Sequence, residues 1–359
     1  MKRRKAALPI LLRVMISALR CAAMVVSLTR KPWSAKAAAW GMGVMLAATC
    51  AQATDVTVLN LAHIYPPSHP TAKALSLFSD LVGSRSQGRL RVKVYEDAEA
   101  GNQSAIFQSL RNGTLDLSVL SQGVITEVVP EAAAFGLPFL FGSKEKAWRV
   151  LEGESGRRFV DKLANQGFVA LSYWDIEVRH LTNSVRPVRK PADVAGLRIR
   201  IPPDPLAIDV FTALDAEVRI LNFSDLYEAL RLRVVDGQEN PVLNVAAMKF
   251  YEVQKYLSLI GQKYSIFVFL MTKSARDRLS VTGRGIVEQA AQEAARYHRT
   301  LVASEEVNAL KTIVAHGVKV DRVDHASFVA ATSKIYEKWL ESGIGDFVRL
   351  LINEARSSP

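Results

Sequence analysis

The segment Val56-Thr57-Val58-Leu59-Asn60-Leu61-Ala62 reads as a strand, and the run that follows, His63-Ile64-Tyr65-Pro66-Pro67-Ser68-His69-Pro70, holds too much proline to continue it. Thr71 to Ser84 then places Ala74, Leu77, Phe78 and Leu81 at helical spacing. Arg89-Leu90-Arg91-Val92-Lys93-Val94-Tyr95 alternates as a second strand. Asn102 to Asn112 reads as a helix closed by Gly113, and Leu115 to Leu120 as a third strand. This strand-loop-helix-strand-helix-strand order predicts an α/β domain with a largely parallel sheet. In such sheets ligands bind beyond the carboxyl ends of the strands. The loops after Leu61, Tyr95 and Leu120 are therefore expected to face one crevice, bringing His63 to Tyr65, and Ser121 with Gln122, towards it.

From Val169 the pattern restarts. Val169 to Tyr173 reads as a strand, followed by Trp174 and a further strand at Val178 to Thr182. A second α/β unit follows, containing Leu197-Arg198-Ile199-Arg200-Ile201-Pro202. Its period of two puts both guanidinium groups on one side of a strand, and Arg200, nearer the carboxyl end, is the better crevice candidate. Asn222 to Tyr227 reads as a loop feeding a helix, with Ser224 as N-cap, Asp225 placed for the helix dipole and an end near Val234. Asp236-Gly237-Gln238-Glu239-Asn240-Pro241 reads as a turn signal followed by a dense polar run. Further on, Ser265 to Thr272 is apolar enough for a buried strand, Gly285 to Ser304 is a long helix with Ala290, Ala291, Ala294, Ala295 and Leu301 near one side, Val318 to Val320 is a short strand, and His325 to Ala355 is helical. No flexible linker separates the halves, so the chain is expected to cross between them several times, a geometry suited to hinge closure.

The formal charge of +11 suggests nucleic acid until the charge is located. Residues 1 to 53 contain nine of the 46 Lys and Arg and none of the Asp and Glu, which leaves 37 bases against 35 acids in the remainder. The basic character belongs to the leader, and no nucleic-acid partner is expected. That leader resembles a long secretory signal: Arg30, Lys31 and Lys36 precede an apolar run from Ala37 to Thr49, and Ala51-Gln52-Ala53 forms a small-x-small cleavage site. Met24 is an alternative start, and an uncleaved anchor is the alternative role. Both cysteines, Cys21 and Cys50, lie in this leader, so the mature chain would have no disulfide, thiol nucleophile or cysteine metal site.

Common enzyme signatures are absent: no G-x-S-x-G, H-E-x-x-H, phosphate-binding loop or G-x-G-x-x-G occurs. His63 and His69 read as loop residues making polar contacts, and no metal or cofactor is expected. Arg200 carries more weight, because a fixed guanidinium binds a carboxylate through two parallel hydrogen bonds. An internal salt bridge or an exposed strand face is the competing reading for Arg200, and more strongly for Arg179; Arg198 reads as structural. Phe223 reads equally as core, and Asn240 as a turn residue.

Several stretches, in order, resemble the extracytoplasmic solute-binding subunits of TRAP transporters, of the dicarboxylate-binding type. They are Ala62-His63 with Pro67 to Pro70, Gly113 to Asp116, Pro130 to Ala133 with Leu137-Pro138, Arg179 with Leu181 to Asn183, Gly196 to Pro202, Asp236 to Pro241 and Lys249 to Val253. The resemblance implies a two-lobed α/β binding protein with a mixed sheet in each lobe, hinge crossings and a long helix spanning both. Lobe I would comprise residues 54–177 and about 266–305, and lobe II about 178–265 and 306–359. It further implies that Arg200 pairs with a substrate carboxylate, that Arg179 and Asn240 contribute beside it, and that Phe223 packs nearby. Trp174, Tyr65, Ser121 and Gln122 would shape the rest of the pocket. The chain departs from the family pattern at Ala98 to Asn102 and at Ile176-Glu177, both near the expected crevice. The expectation is a periplasmic, non-enzymatic protein that delivers a small organic acid to small and large membrane permease subunits. The alternatives are a ligand carrier for a membrane sensor kinase and an exported enzyme acting on organic acids.

Overall fold

A computed structural model describes residues 56 to 357, with the backbone alone for 175–177. The expected signal segment, its cleavage site, Met24 and both cysteines lie outside the described residues.

The chain opens with β1 (Thr57–Ala62), α1 (Pro70–Arg85), β2 (Leu90–Tyr95), α2 (Gln103–Arg111), β3 (Leu117–Ser121) and the single turn α3 (Gln122–Ile125). A 3-10 segment at Pro130–Gly136 leads to α4 (Lys144–Glu152), α5 (Glu154–Asn165) and the long strand β4 (Phe168–Val178). The second unit contains β5 (His180–Asn183), β6 (Arg198–Ile201), α6 (Pro205–Ala213), β7 (Glu217–Ile220), α7 (Leu226–Arg231), β8 (Gly237–Asn240), α8 (Val242–Ala247) and β9 (Tyr256–Ser258). The chain then returns through β10 (Tyr264–Thr272), α9 (Lys273–Asp277) and the 35-residue α10 (Val281–Ala315), and finishes with β11 (Lys319–Asp321), α11 (His325–Ala331), α12 (Lys334–Leu340) and α13 (Gly345–Ser357).

The strands form two mixed sheets, ordered β2-β1-β3-β10-β4 and β11-β9-β5-β8-β6-β7. In the first, β1 runs parallel to β2 and β3, and β10 is antiparallel to β3 and β4. All but the first residue of β10 are buried, which explains why its sequence is continuously apolar rather than alternating. In the second, β8 lies between β5, antiparallel, and β6, parallel. α10 packs against α1 and β4 of the first lobe and α8 of the second, so one helix bridges both sheets. Ala290, Ala291, Ala294 and Ala295 are fully buried along it, letting it approach closely; Leu301 is half-buried. No helix among the described residues is long and apolar enough to cross a membrane.

Two local expectations are corrected. The polar run at 236–241 is not a turn: Gly237 to Asn240 form a fully buried central strand, stabilised by side-chain pairing within and across the sheet. A Cβ on Gly237 would lie 2.2 Å from the Thr182 carbonyl oxygen, so only glycine permits this close approach to β5. Ser224 does not cap α7: Asp225 stands at that position, and its carboxylate accepts from Asn222 Nδ2 and Ser224 Oγ instead. The helix stops at Arg231, before Val234, because Arg233 adopts a left-handed φ of 56°.

The terminal helices touch both halves. Lys338 and Trp339 of α12 hold Asp209 of α6, while α13 packs on α4 and α5. Glu354 of α13 accepts from the backbone N–H groups of Glu154 and Ser155, satisfying the start of α5. The sequence reading grouped this tail with lobe II, whereas α13 contacts first-lobe helices.

Candidate functional site

Strands of both sheets meet at a shared cavity. β3 ends there at Ser121, β6 leads into it through Arg200 and Pro202, β8 ends at Asn240, and the antiparallel β10 starts there, with Lys263 just before it and Ser265 within it on the wall. Tyr65 and Phe267 form an aromatic side, their rings 6.1 Å apart and inclined edge-on at 64°. The cavity contains about 670 Å³ of space, its mouth included.

Arg200 is 2% exposed, and its Nε donates to the Leu221 carbonyl at 2.9 Å. Among the described residues, no carboxylate lies within ion-pair distance of it. Burial lowers its pKa to about 9, against the attraction of Glu239; it remains a cation at neutral pH. Phe223 offers its ring 6.0 Å from the guanidinium carbon. Among the described residues, the two Nη atoms of Arg200 on this wall thus have no protein acceptor, an expensive arrangement for a buried charge.

Arg179 is different. It lies between β4 and β5, where the chain passes from the first sheet to the second, and forms a two-pronged ion pair with Glu239 through Nε to Oε2 and Nη2 to Oε1, the latter at 2.7 Å. Nη2 also donates to the Glu239 carbonyl at 2.7 Å and to Asn240 Oδ1 at 3.1 Å. Gln262 Nε2 donates to the same carboxylate. Asn240 in turn donates to Gln238 and accepts from Asn244 Nδ2 at 3.0 Å. Arg179 and Asn240 therefore line the cavity while serving an internal network.

The first lobe supplies Gln122, whose Oε1 accepts from the Ile266 N–H at 2.9 Å, and Ser121, whose Oγ donates to Gln103 Oε1 at 2.9 Å. The Tyr65 ring stacks on His69 at 4.2 Å, and burial raises its hydroxyl's pKa. His69 caps α1, accepting from Thr71 N–H, and its Nε2 pairs with Asn244 Oδ1. Burial lowers the pKa of both His63 and His69 to about 4. Trp174 is not on this cavity. It is 1% exposed, donates to Ser172 Oγ and stands over His298 beneath α10, beside a smaller second cavity.

Sequence reasoning missed Lys263 and Asp204, a buried ion pair on the cavity wall. Asp204 caps α6, accepting from the N–H groups of Leu206 and Ala207; burial opposes its charge, but Lys263 and these hydrogen bonds hold its pKa below the usual carboxylate range. The Pro203-Asp204-Pro205 spelling, an acidic N-cap before a first-turn proline, marks the helix start but not its ligand-facing position. Gln103, Ser104 and Ser265 were also missed, and Asn102, noted only as the end of a departure from the family pattern, lines the cavity as well.

Two α/β lobes joined by crossing strands, with a buried cation in the cleft, define a two-lobed solute-binding protein. A family model described as bacterial extracellular solute-binding protein, family 7 (DctP) matches residues 61–342, and the chain belongs to that family. It is 41% identical over 282 residues to an uncharacterized protein, y4mM, of Sinorhizobium fredii, covering 78% of this chain but only 52% of that one, so the chain spans about half the length of this relative. The sugar acid binding protein DctPAm of Advenella mimigardefordensis, solved with galactonate, superposes with a TM-score of 0.81 at 31% identity, covering 84% of this chain and 99% of that one. A TRAP periplasmic solute binding protein of Sulfurospirillum deleyianum, solved with succinate, superposes with a TM-score of 0.80 at 30% identity, covering 84% and 99%. The two named ligands differ in charge, one carrying a single carboxylate and the other two.

Proposed function

We propose that this protein captures a small organic acid in the periplasm and delivers it, unaltered, to the small and large membrane subunits of a TRAP permease. The single observation that carries this reading is Arg200, a buried guanidinium on the cavity wall without an acidic partner among the described residues. A ligand carboxylate would take its remaining donors in a bidentate geometry. Phe223 would pack beside that pair, Arg179 and Asn240 would hold the surrounding wall, and Tyr65, Ser121 and Gln122 would close from the first lobe. Trp174 would act indirectly, by supporting the aromatic floor beneath α10. The hinge would comprise the crossings near residues 179 and 263 together with α10. The leader would be removed after Ala53 on export.

Closure requires contacts that the ligand makes better in the closed form than in the open one. The first-lobe residues supply them. The decisive experiment is a thermal-shift screen of the mature chain against mono- and dicarboxylates, keto acids and sugar acids, followed by calorimetry on each hit with the wild type and Arg200→Ala. An acid that binds the wild type and not the variant supports the reading; equal binding to both removes the anchor. Consumption of the bound acid during incubation would favour an enzyme instead.

A further inference from the structure

Family membership leaves the charge of the ligand open, but the charges around this cavity restrict it. Five ionised side chains, each less than a tenth exposed, stand in or directly behind the wall: Arg179, Arg200, Asp204, Glu239 and Lys263. Four are already matched, Arg179 by Glu239 and Lys263 by Asp204. Among the described residues Arg200 alone remains, so the wall they form carries one cation more than it has anions. Asp225, exposed nearby, adds only negative field at Arg200. From this accounting we infer that the ligand carries one carboxylate and that the rest of it is neutral and rich in hydroxyl groups. The inference rests on the proposed role of Arg200 and specifies the substrate class of that same site.

The neutral half follows from the remaining donors. Lys263 gives one ammonium hydrogen to Asp204 Oδ2 and has two others. Its charge is matched, but its hydrogen-bonding capacity is not exhausted, which suits a hydroxyl oxygen. Gln103 accepts from Ser121 through Oε1, and Asn102 accepts from Ala105 through Oδ1, so each amide NH2 has no acceptor among the described residues. Ser104 and Ser265 add hydroxyl groups on the same wall. These groups can donate to and accept from alcohols. A second carboxylate would meet no unmatched cation and would be brought towards the Asp204 carboxylate, where like charges in a dehydrated site repel strongly. Succinate, with no hydroxyl groups and two charges, is the opposite of what this wall matches.

The test uses pairs of open-chain sugar acids of equal length and configuration, an aldonate and its aldarate, which differ only in the terminal CH2OH or carboxylate. Succinate serves as the short dicarboxylate. Calorimetry on the mature wild-type protein is expected to give an aldonate bound tighter than its aldarate by roughly tenfold or more, and tighter than succinate. An aldarate or succinate bound as tightly as the best aldonate would overturn the inference while leaving the Arg200 anchor intact. If Arg200→Ala binds the best ligand as well as the wild type does, the anchor reading itself fails. Asp204→Asn keeps the helix cap and releases Lys263 from its partner, so it should shift the aldonate-to-aldarate ratio by roughly tenfold towards the aldarate. The variant should melt lower than the wild type because Lys263 loses its buried partner, so its folding is checked by circular dichroism at the assay temperature; an unshifted ratio in the folded variant would remove Asp204 as the discriminating charge.

Discussion

Gly123 and Asp204 meet across the cavity. A Cβ built on Gly123 would lie 2.9 Å from the Asp204 Cβ and 3.0 Å from its Oδ2, so the first turn of α3 and the cap of α6 approach with no room for a methyl group. Gly123 has ordinary helical backbone geometry, so alanine costs nothing where the lobes stand apart and favours the helix slightly. Gly123→Ala is expected to weaken ligand binding by roughly tenfold, mainly through faster dissociation, with the ligand-free melting temperature unchanged. Stopped-flow dissociation and calorimetry check this; unaltered kinetics would mean that the contact can relax without opening the cleft.

Arg200→Ala separates binding from folding. Loss of the anchor should cost about 2 to 5 kcal/mol of ligand affinity. The ligand-free protein should be as stable as the wild type or more so, because a buried charge without a partner is removed. Calorimetry and ligand-free thermal denaturation together decide it. A variant that binds normally but melts early would recast Arg200 as structural.

Arg179 should behave in the reverse manner. Removing it strands the Glu239 carboxylate, which is completely buried, so Arg179→Met is expected to destabilise by about 3 to 5 kcal/mol. Adding Glu239→Gln should recover much of that loss, measurable by urea denaturation of the single and double variants. No recovery would show that the pair is not energetically coupled.

Acid should destabilise the fold before the carboxylates titrate. Burial lowers the pKa of His63, His69 and His180 to about 4 and that of His298 to about 3. Their folded values lie below the ordinary 6.5, so the neutral forms contribute full stability above about pH 6.5. As pH falls from there towards 4, the unfolded chain binds protons that the folded chain refuses, and stability declines. Each such histidine contributes up to about 1.4 kcal/mol per pH unit. Denaturation midpoints at pH 7.5 and 5 should differ accordingly, and replacing His298 by Gln should flatten the slope. A stability independent of pH over this range would contradict these burials.

The regular α/β order was legible because strands such as Tyr264–Thr272 spell their burial directly, and because strand direction singled out Arg200 over Arg198. The partners were not. Glu239 lies 60 positions from Arg179, and Lys263 lies 59 from Asp204, so neither pair leaves a local pattern. β8 was misread for a related reason: Gly237, Gln238, Glu239 and Asn240 disfavour strands individually, and only hydrogen bonds such as Gln238 Nε2 to Thr182 Oγ1 make their burial affordable. Trp174, which the family resemblance puts at the pocket, lies within β4, and alternation turns it towards α10.

The backbone N–H of Arg179 donates to the Lys263 carbonyl at 3.1 Å, which fastens the outgoing and returning strands to each other at the passage between the sheets. Two strands so joined resist independent torsion and flex as a single ribbon, much like a leaf spring. Both residues also present their side chains to the cavity. A ligand held against that wall, as proposed, would therefore press on the spring itself, so that occupancy and the angle between the lobes would be sensed at the same two residues.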